Sequence, residues 1–237
     1  MRTIMFMLSF IIPAWNEEEL IGATIKSIHH CAREFEYEII VSNDASDDDT
    51  SKIAKDLGAT VVLCNNRQIG ATRNDGAEVA KGDILIFVDA DTIISESVVI
   101  ETVEAIQNGA VAGGSFPVFE GDEPFFAKIL TPTLRILFRI LRVAAGAYMF
   151  CTSDSFEKAG RFDSKFFAGE EVHLSNKLHK FGKFKTIKSQ VITSGRKFRT
   201  HSSLEILTTL FLVSIPGIRN IKKRKNLWYG DRKNDKS

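Results

Sequence analysis

Residues 84–91 read Ile-Leu-Ile-Phe-Val-Asp-Ala-Asp, an apolar run that stops at two carboxylates one residue apart. A continuous apolar run of this length between polar residues suits a strand buried on both faces. Side chains alternate along a strand, so Asp89 and Asp91 are expected to leave its carboxyl end on the same side. Open α/β sheets place their ligands at that end. Two convergent carboxylates repel unless a positive group lies between them, and a divalent cation carrying a diphosphate is the natural occupant. The competing reading is a plain strand followed by an Asp-rich turn.

Two more constellations carry similar chemistry. In Pro13-Ala14-Trp15-Asn16-Glu17, Pro13 stops a strand, Asn16 can cap the next helix and Glu17–Glu19 suit its positive end. Trp15 then lies in the turn, where a flat aromatic can stack on a base. The segment Ser42-Asn43-Asp44-Ala45-Ser46-Asp47-Asp48-Asp49-Thr50 holds four carboxylates, more than one helix start needs. Asp44, the first of them, can accept from a base imide N–H.

The elements that must position these residues alternate. Strand signals at Leu8–Pro13, Tyr37–Ser42, Ala59–Leu63 and Asp83–Val88 are separated by helix signals at Glu17–Arg33, Asp49–Leu57 and Ala71–Ala80. Gly58 and Gly82 follow two of the helices, as C-terminal caps do. This alternation predicts an α/β fold with a mainly parallel central sheet and helices on both faces. A helix over Glu96–Asn108 and a strand over Ala110–Phe119 follow. Beyond residue 120 the regularity fades: a long helix is expected over Ala127–Ala145, a strand over Ala147–Cys151, a helix over Glu170–Phe181, and one or two strands over Lys183–Thr193.

Taken together, Ile11-Ile12-Pro13-Ala14-Trp15-Asn16-Glu17, Val41-Ser42-Asn43-Asp44-Ala45-Ser46-Asp47, Gly70-Ala71-Thr72-Arg73-Asn74-Asp75-Gly76 and Phe87-Val88-Asp89-Ala90-Asp91 form an ordered set. This set resembles family 2 of the glycosyltransferases, the inverting GT-A group that uses nucleotide-sugar donors, over roughly residues 8–195. The resemblance implies a GT-A fold. It also implies a donor site made by Pro13, Ala14, Trp15, Glu17, Asp44, Arg73, Asp89 and Ala90, with Arg73 near the base or diphosphate. The alternative for Arg73 is an ordinary surface helix charge. Asp91, helped by Asp89, would hold Mn2+ or Mg2+. Asn43-Asp44-Ala45-Ser46 stands where the family commonly has Asp-Asp-Gly-Ser, which leaves Asp44 intact.

The segment Phe156–Asp163 resembles the stretch ahead of the family's acceptor site. Gly169-Glu170-Glu171-Val172-His173-Leu174 is similar to its Gly-Glu-Asp-x-Asp-Leu motif, which supplies the general base. Glu171 stands at the base position with Glu170 beside it; a helix-start acid pair is the alternative. Arg196, after the last strand, matches a basic residue that approaches the donor diphosphate in related enzymes. His173, His179 and His201 are candidates for a third metal ligand only in principle.

With 237 residues, 44% of them apolar, the chain can form one generous domain. Its expected organisation is a GT-A catalytic unit over 1–218, with a donor half at 8–119, an acceptor half at 120–200 and an apolar helix at 201–218. Residues 219–237 form a basic tail. The tail has eight basic residues against two acidic, a net of +6, while residues 1–218 carry 23 against 28, a net of −5. Cys31, Cys64 and Cys151 lack ligand spacing and fit a reducing compartment. Met1–Ile12 reads as a first strand rather than a signal peptide, and no run reaches the roughly 18–20 apolar residues that span a bilayer. A cytoplasmic location follows, with peripheral contact at the inner face of the membrane. Arg135, Arg139 and Arg142 form one stripe on the apolar helix 127–145, and Leu204–Ile218 leads into the basic tail, so an anionic membrane and a lipid-linked or glycan acceptor are expected. The alternative is that these helices pack on the sheet or on a homodimer partner. No nucleic-acid partner is expected. UDP-sugars are favoured as donors over GDP-sugars.

Three rival readings differ in class. Asp-Ala-Asp-Thr resembles the Asp-x-Asp-x-Thr signature of haloacid-dehalogenase-like phosphatases, but position 93 is Ile and three βα units precede it. A nucleotidyltransferase would need a Gly-rich basic loop after the first strand, and none is present. A non-catalytic nucleotide-sugar-binding protein would have no use for Asp89, Asp91 and Glu171 together.

Overall fold

Strands that are apolar on both sides form the centre of the molecule. The computed structural model describes residues 6–120, 136, 143–144, 146–166 and 169–195. Strands β1 (Met7–Ala14), β2 (Glu36–Asp44), β3 (Thr60–Cys64) and β4 (Ile84–Val88) pair in parallel in the order β3-β2-β1-β4. The sheet continues through β8 (Tyr148–Thr152), antiparallel to β4, then β6 (Ala110–Gly114), antiparallel to β8, and β9 (Lys183–Thr186), parallel to β6. A small second sheet has the order β5-β10-β7, made of Thr92–Ile93, Val191–Thr193 and Pro117–Phe119.

The helices are α1 (Ile21–Ala32), α2 (Thr50–Asp56), α3 (Ile69–Val79), α4 (Glu96–Gln107), α5 (Ser153–Lys158) and α6 (Glu170–Leu178). Alternation along β4 shows why its run is unbroken. Ile84, Ile86 and Val88 enter the core shared with Ile21, Ile25, Val98 and Val99 of α1 and α4. Leu85 and Phe87 enter the opposite core with Ala77, Phe156, Leu174 and Leu178 of α3, α5 and α6. A strand covered on both faces has no position for a polar side chain, so the polar residues begin where β4 ends.

Several boundaries differ from the sequence expectation. Pro13 does not stop β1, which pairs with β2 through Ala14↔Asn43. On the other side the ladder with β4 has already ended at Ile11↔Phe87, so there is no ladder there for proline to interrupt. Asn16 does not cap α1. It adopts a left-handed φ of 52° and exchanges hydrogen bonds with Asp47 through its side chain, and α1 starts four residues after Glu17. Ala110–Phe119 is two strands, one in each sheet. Pro117 cannot donate to a central ladder and begins the edge strand β7 instead. The stretch 183–193 likewise supplies one strand to each sheet.

Among the described residues no helix is long and apolar enough to cross a membrane. The helix expected at 127–145 falls outside the described residues except for 136, 143 and 144. The helix expected at 201–218 and the basic tail lie wholly outside them.

Candidate active site

Helix α3 sets the site. The Gln68 side chain caps its start by accepting from Ala71 N. Three residues after Arg73 comes Gly76, where a Cβ would strike Ile11 Cγ2 at 2.6 Å, so a side chain here would hold α3 off β1. The close approach carries Arg73 inward until it is 1% exposed. It is not a surface helix charge.

Arg73 joins both halves of the site. Its Nη1 donates to Glu171 Oε1 at 2.7 Å and Glu170 Oε1 at 3.1 Å, and its Nη2 donates to Asp89 Oδ1 at 2.9 Å and the Gly146 carbonyl at 3.1 Å. The Phe162 ring lies 5.4 Å from its Cζ. Among the described residues, Nε has no hydrogen-bond partner. Burial alone would loosen the guanidinium proton, but Glu171, Asp89 and Glu170 outweigh it and hold Arg73 charged.

The acid pair opens α6 after Gly169, whose φ is 74°. Glu170 is the deeper, its side chain 3% exposed against 12% for Glu171. Burial, reinforced by the neighbouring Glu171 charge, pushes the Glu170 carboxyl up to about 8 despite Arg73. Burial also works against ionised Glu171, but the charge and hydrogen bond of Arg73 prevail and hold it below the ordinary carboxylate range. The two neighbours are thus pushed in opposite directions, Glu170 towards its neutral form and Glu171 towards its ionised form.

At the end of β4 the chain turns rather than continuing extended, with Thr92 N donating to the Asp89 carbonyl at 3.1 Å. Strand alternation is thus not what presents the two aspartates. Asp89 faces Arg73, while Asp91 Oδ1 accepts from Thr193 Oγ1 of β10 at 3.2 Å. Ala90 between them is buried, its carbonyl accepting from Thr24 Oγ1. Two hard oxygen donors fit Mg2+ or Mn2+, which use one or two carboxylates and take their remaining ligands from phosphates and water. Among the described residues no group of three or more His, Cys, Asp and Glu forms a protein-only cage. His173 stacks on Phe166 at 4.4 Å and His179 on Phe184 at 5.2 Å, while His201 is outside the described residues, as is Arg196.

On the far side of α3, Asp44 ends β2 and is buried. Its Oδ1 accepts from the backbone N–H groups of Asn66 and Arg67 at 2.6 and 3.1 Å, and its Oδ2 from Thr72 Oγ1 at 3.1 Å. The turn thus held sets the Arg67 guanidinium 4.4 Å from the centre of the Trp15 ring. Pro13 and Ala14 are buried in β1, and Glu17 is buried with its N–H on Thr50 Oγ1.

Residues that sequence reasoning left without a role complete the frame. Asn74 exchanges side-chain hydrogen bonds with the backbone of Phe162, at 2.9 and 3.1 Å, and Gln68 Nε2 donates to the Phe166 carbonyl at 2.5 Å. Through them α3 grips the segment that leads into α6. Asn74 stood inside a motif and was discoverable there; Gly146 had no sequence signal.

Residues 9–163 match the model of the family described as Glycosyl transferase family 2. The chain belongs to this family. Among its relatives are the dolichol-phosphate mannosyltransferase of Pyrococcus furiosus, 31% identical over 132 residues that cover 52% of this chain and 38% of that one. Glycosyltransferase AglE of Haloferax volcanii is 25% identical over 205 residues, 81% of this chain and 67% of its own. The fold is shared with mannosyltransferase PcManGT from Pyrobaculum calidifontis in complex with GDP-Man and Mn2+, at a TM-score of 0.66 and 20% identity over 81% of this chain and 57% of that one. S. aureus TarS in complex with UDP-GlcNAc superimposes at 0.64 and 18% identity, over 80% and 58%. The architecture is therefore of the GT-A type. The match spans well under half the length of the Pyrococcus enzyme. Family membership sets aside the phosphatase reading of Asp-Ala-Asp-Thr and the nucleotidyltransferase alternative.

Proposed function

We propose that this chain is an inverting, metal-dependent glycosyltransferase that moves a sugar from a nucleotide-diphosphate donor to a hydroxyl acceptor. The observation that carries the reading is the joining of Asp89 to Glu170 and Glu171 through buried Arg73. A donor-side carboxylate and a pair able to manage a proton are thereby held in one cluster.

Glu171 is the general base. Arg73 favours its ionised form and it is the more exposed of the pair, so it is the member able to take the proton of an attacking acceptor hydroxyl. Glu170, deeper and with its carboxyl raised by burial, supports it from behind. One base and no enzyme nucleophile give a single displacement and inversion, by the logic that separates inverting from retaining glycosidases. Asp91 and Asp89 would hold Mg2+ or Mn2+, which when bound neutralises charge on the departing nucleoside diphosphate. Trp15 is the aromatic that would stack on the base, and Asp44 fixes the turn that lays Arg67 over its ring. A UDP-sugar is favoured as donor, with a GDP-sugar second; TarS and PcManGT in complex with UDP-GlcNAc and GDP-Man support a donor of this class. A lipid-carried or cell-envelope acceptor is supported by the dolichol-phosphate relative and by the basic tail.

The test is release of nucleoside diphosphate from a panel of UDP- and GDP-sugars, with Mn2+, with Mg2+ and in chelator. Glu171→Gln should bind donor normally and turn over at least about 10²-fold more slowly. Undiminished turnover in chelator removes the metal, and a dead Glu170→Gln beside an active Glu171→Gln moves the base by one residue.

A further inference from the structure

Gly146 lies in the turn ahead of β8, where its carbonyl accepts from Arg73 Nη2 at 3.1 Å. The space above its Cα is taken by one group. A Cβ built there would meet Glu171 Oε1 at 2.7 Å, Cδ at 3.4 Å and Oε2 at 3.9 Å, and these are its three nearest atoms. Arg73 Nη1 holds the same Oε1 at 2.7 Å. One carboxylate oxygen is therefore held by a cation and occupies the space that a side chain at 146 would need.

We propose that Gly146 is a positioning residue for the general base, and that residues 146 and 171 are a matched steric pair. The absence of a side chain at 146 sets how far the Glu171 carboxylate can advance. Arg73 then fixes its orientation. An alanine methyl would enter the position of Oε1. Because the atom displaced is the end of a side chain, the fold can yield by moving it, and the displacement falls on the base. Shortening residue 171 by one methylene withdraws the carboxylate and reopens the space. This inference rests on the reading of Glu171 as the base, and it makes a claim that the reading does not: the effect of a methyl at 146 depends on the length of the side chain at 171.

The test is a double-mutant cycle of Gly146→Ala and Glu171→Asp, with Glu171→Gln alongside. Nucleoside diphosphate release is measured with UDP-GlcNAc, UDP-glucose and GDP-mannose in Mn2+, and thermal unfolding is followed for every variant. Gly146→Ala alone should lower kcat by roughly 10- to 100-fold, as a displacement of about an ångström does, with donor KM within about twofold. On the Glu171→Asp background the same methyl should change kcat by less than about threefold, a non-additivity that separate defects do not produce. The Tm should fall by about 2–4 °C for Gly146→Ala alone and by clearly less on the Glu171→Asp background. Equal losses on both backgrounds, or a Gly146→Ala enzyme with wild-type kcat, overturn the proposal. If none of the three donors is turned over, the Tm cycle decides it alone, and equal Tm losses overturn it. An active Glu171→Gln enzyme with a coupled Tm cycle would instead remove the base assignment and keep the steric pair.

Discussion

Arg73 holds together three carboxylates that have little water to turn to, so its removal is the sharpest test of the site. In Arg73→Met the apolar stem is roughly preserved and the guanidinium is lost. The partners left behind are 3% exposed at Glu170, 12% at Glu171 and 23% at Asp89. Breaking a buried pair by deleting one partner costs about 3–5 kcal/mol, because the other charge stays buried and uncompensated. That range is expected near pH 8. The loss should shrink on acidification, for a definite reason. In the wild type, Arg73 holds Glu171 low, so this stabilisation is present above the unfolded carboxylate pKa and is lost only as pH falls through the depressed folded value. In the variant the sign reverses for Glu171, while Glu170 is raised in both proteins. Burial and like charge then raise the carboxyls, the folded state binds more protons than the unfolded one, and stability grows as pH falls. One extra proton is worth about 1.4 kcal/mol per pH unit, so roughly 2–3 kcal/mol should return between pH 8 and pH 6. Urea unfolding followed by far-UV circular dichroism at the two pH values measures this. A difference below about 1 kcal/mol at pH 8, or one equal at both pH values, would refute the buried ion cluster.

The same cluster should make the wild type lose stability with alkali. Glu170 is raised to about 8, so its contribution is complete below the unfolded carboxylate pKa and fades as pH rises from there through about 8. The urea midpoint should fall between pH 6 and 9, and Glu170→Gln should flatten the decline; an unchanged slope in that variant contradicts the assignment. Asp44→Ala orphans the N–H groups of Asn66 and Arg67 and the Thr72 hydroxyl. It should lower stability by about 2–3 kcal/mol and weaken donor binding by roughly tenfold, by chemical unfolding and calorimetry respectively; donor affinity equal to wild type removes Asp44 from the donor site. Flotation with anionic vesicles at low salt should recover the full chain and recover less of one lacking residues 219–237. Failure of both to float would leave an enzyme with a soluble acceptor.

Much of the frame was legible in the chain because its signals are local. The unbroken apolar run 84–88, caught between two helix layers, can only be a central strand, and the βα alternation before it predicts neighbours in parallel. The motif residues Asp44, Arg73, Asp89, Asp91, Glu170 and Glu171 were all singled out by type and place. Boundaries were less legible where pairing overrides a residue's preference. Pro13 continues β1 because the β4 ladder has already ended, and Pro117 opens an edge strand in a second sheet that periodicity does not reveal.

What each motif residue does was decided by the tertiary structure. Arg73 reads in sequence as a helix charge or a phosphate ligand, yet its partners are 16, 97 and 98 positions away. Glu170 and Glu171 are chemically identical neighbours; only unequal burial and one guanidinium push the first carboxyl up and hold the second down. Gly146 has no meaning until the Glu171 carboxyl group is found in the space above it. Propensity and periodicity act over a few residues and are written along the chain. Desolvation, ion pairing and excluded volume depend on which distant groups share a low-dielectric space, and that is determined only when the sheet and helices close around them.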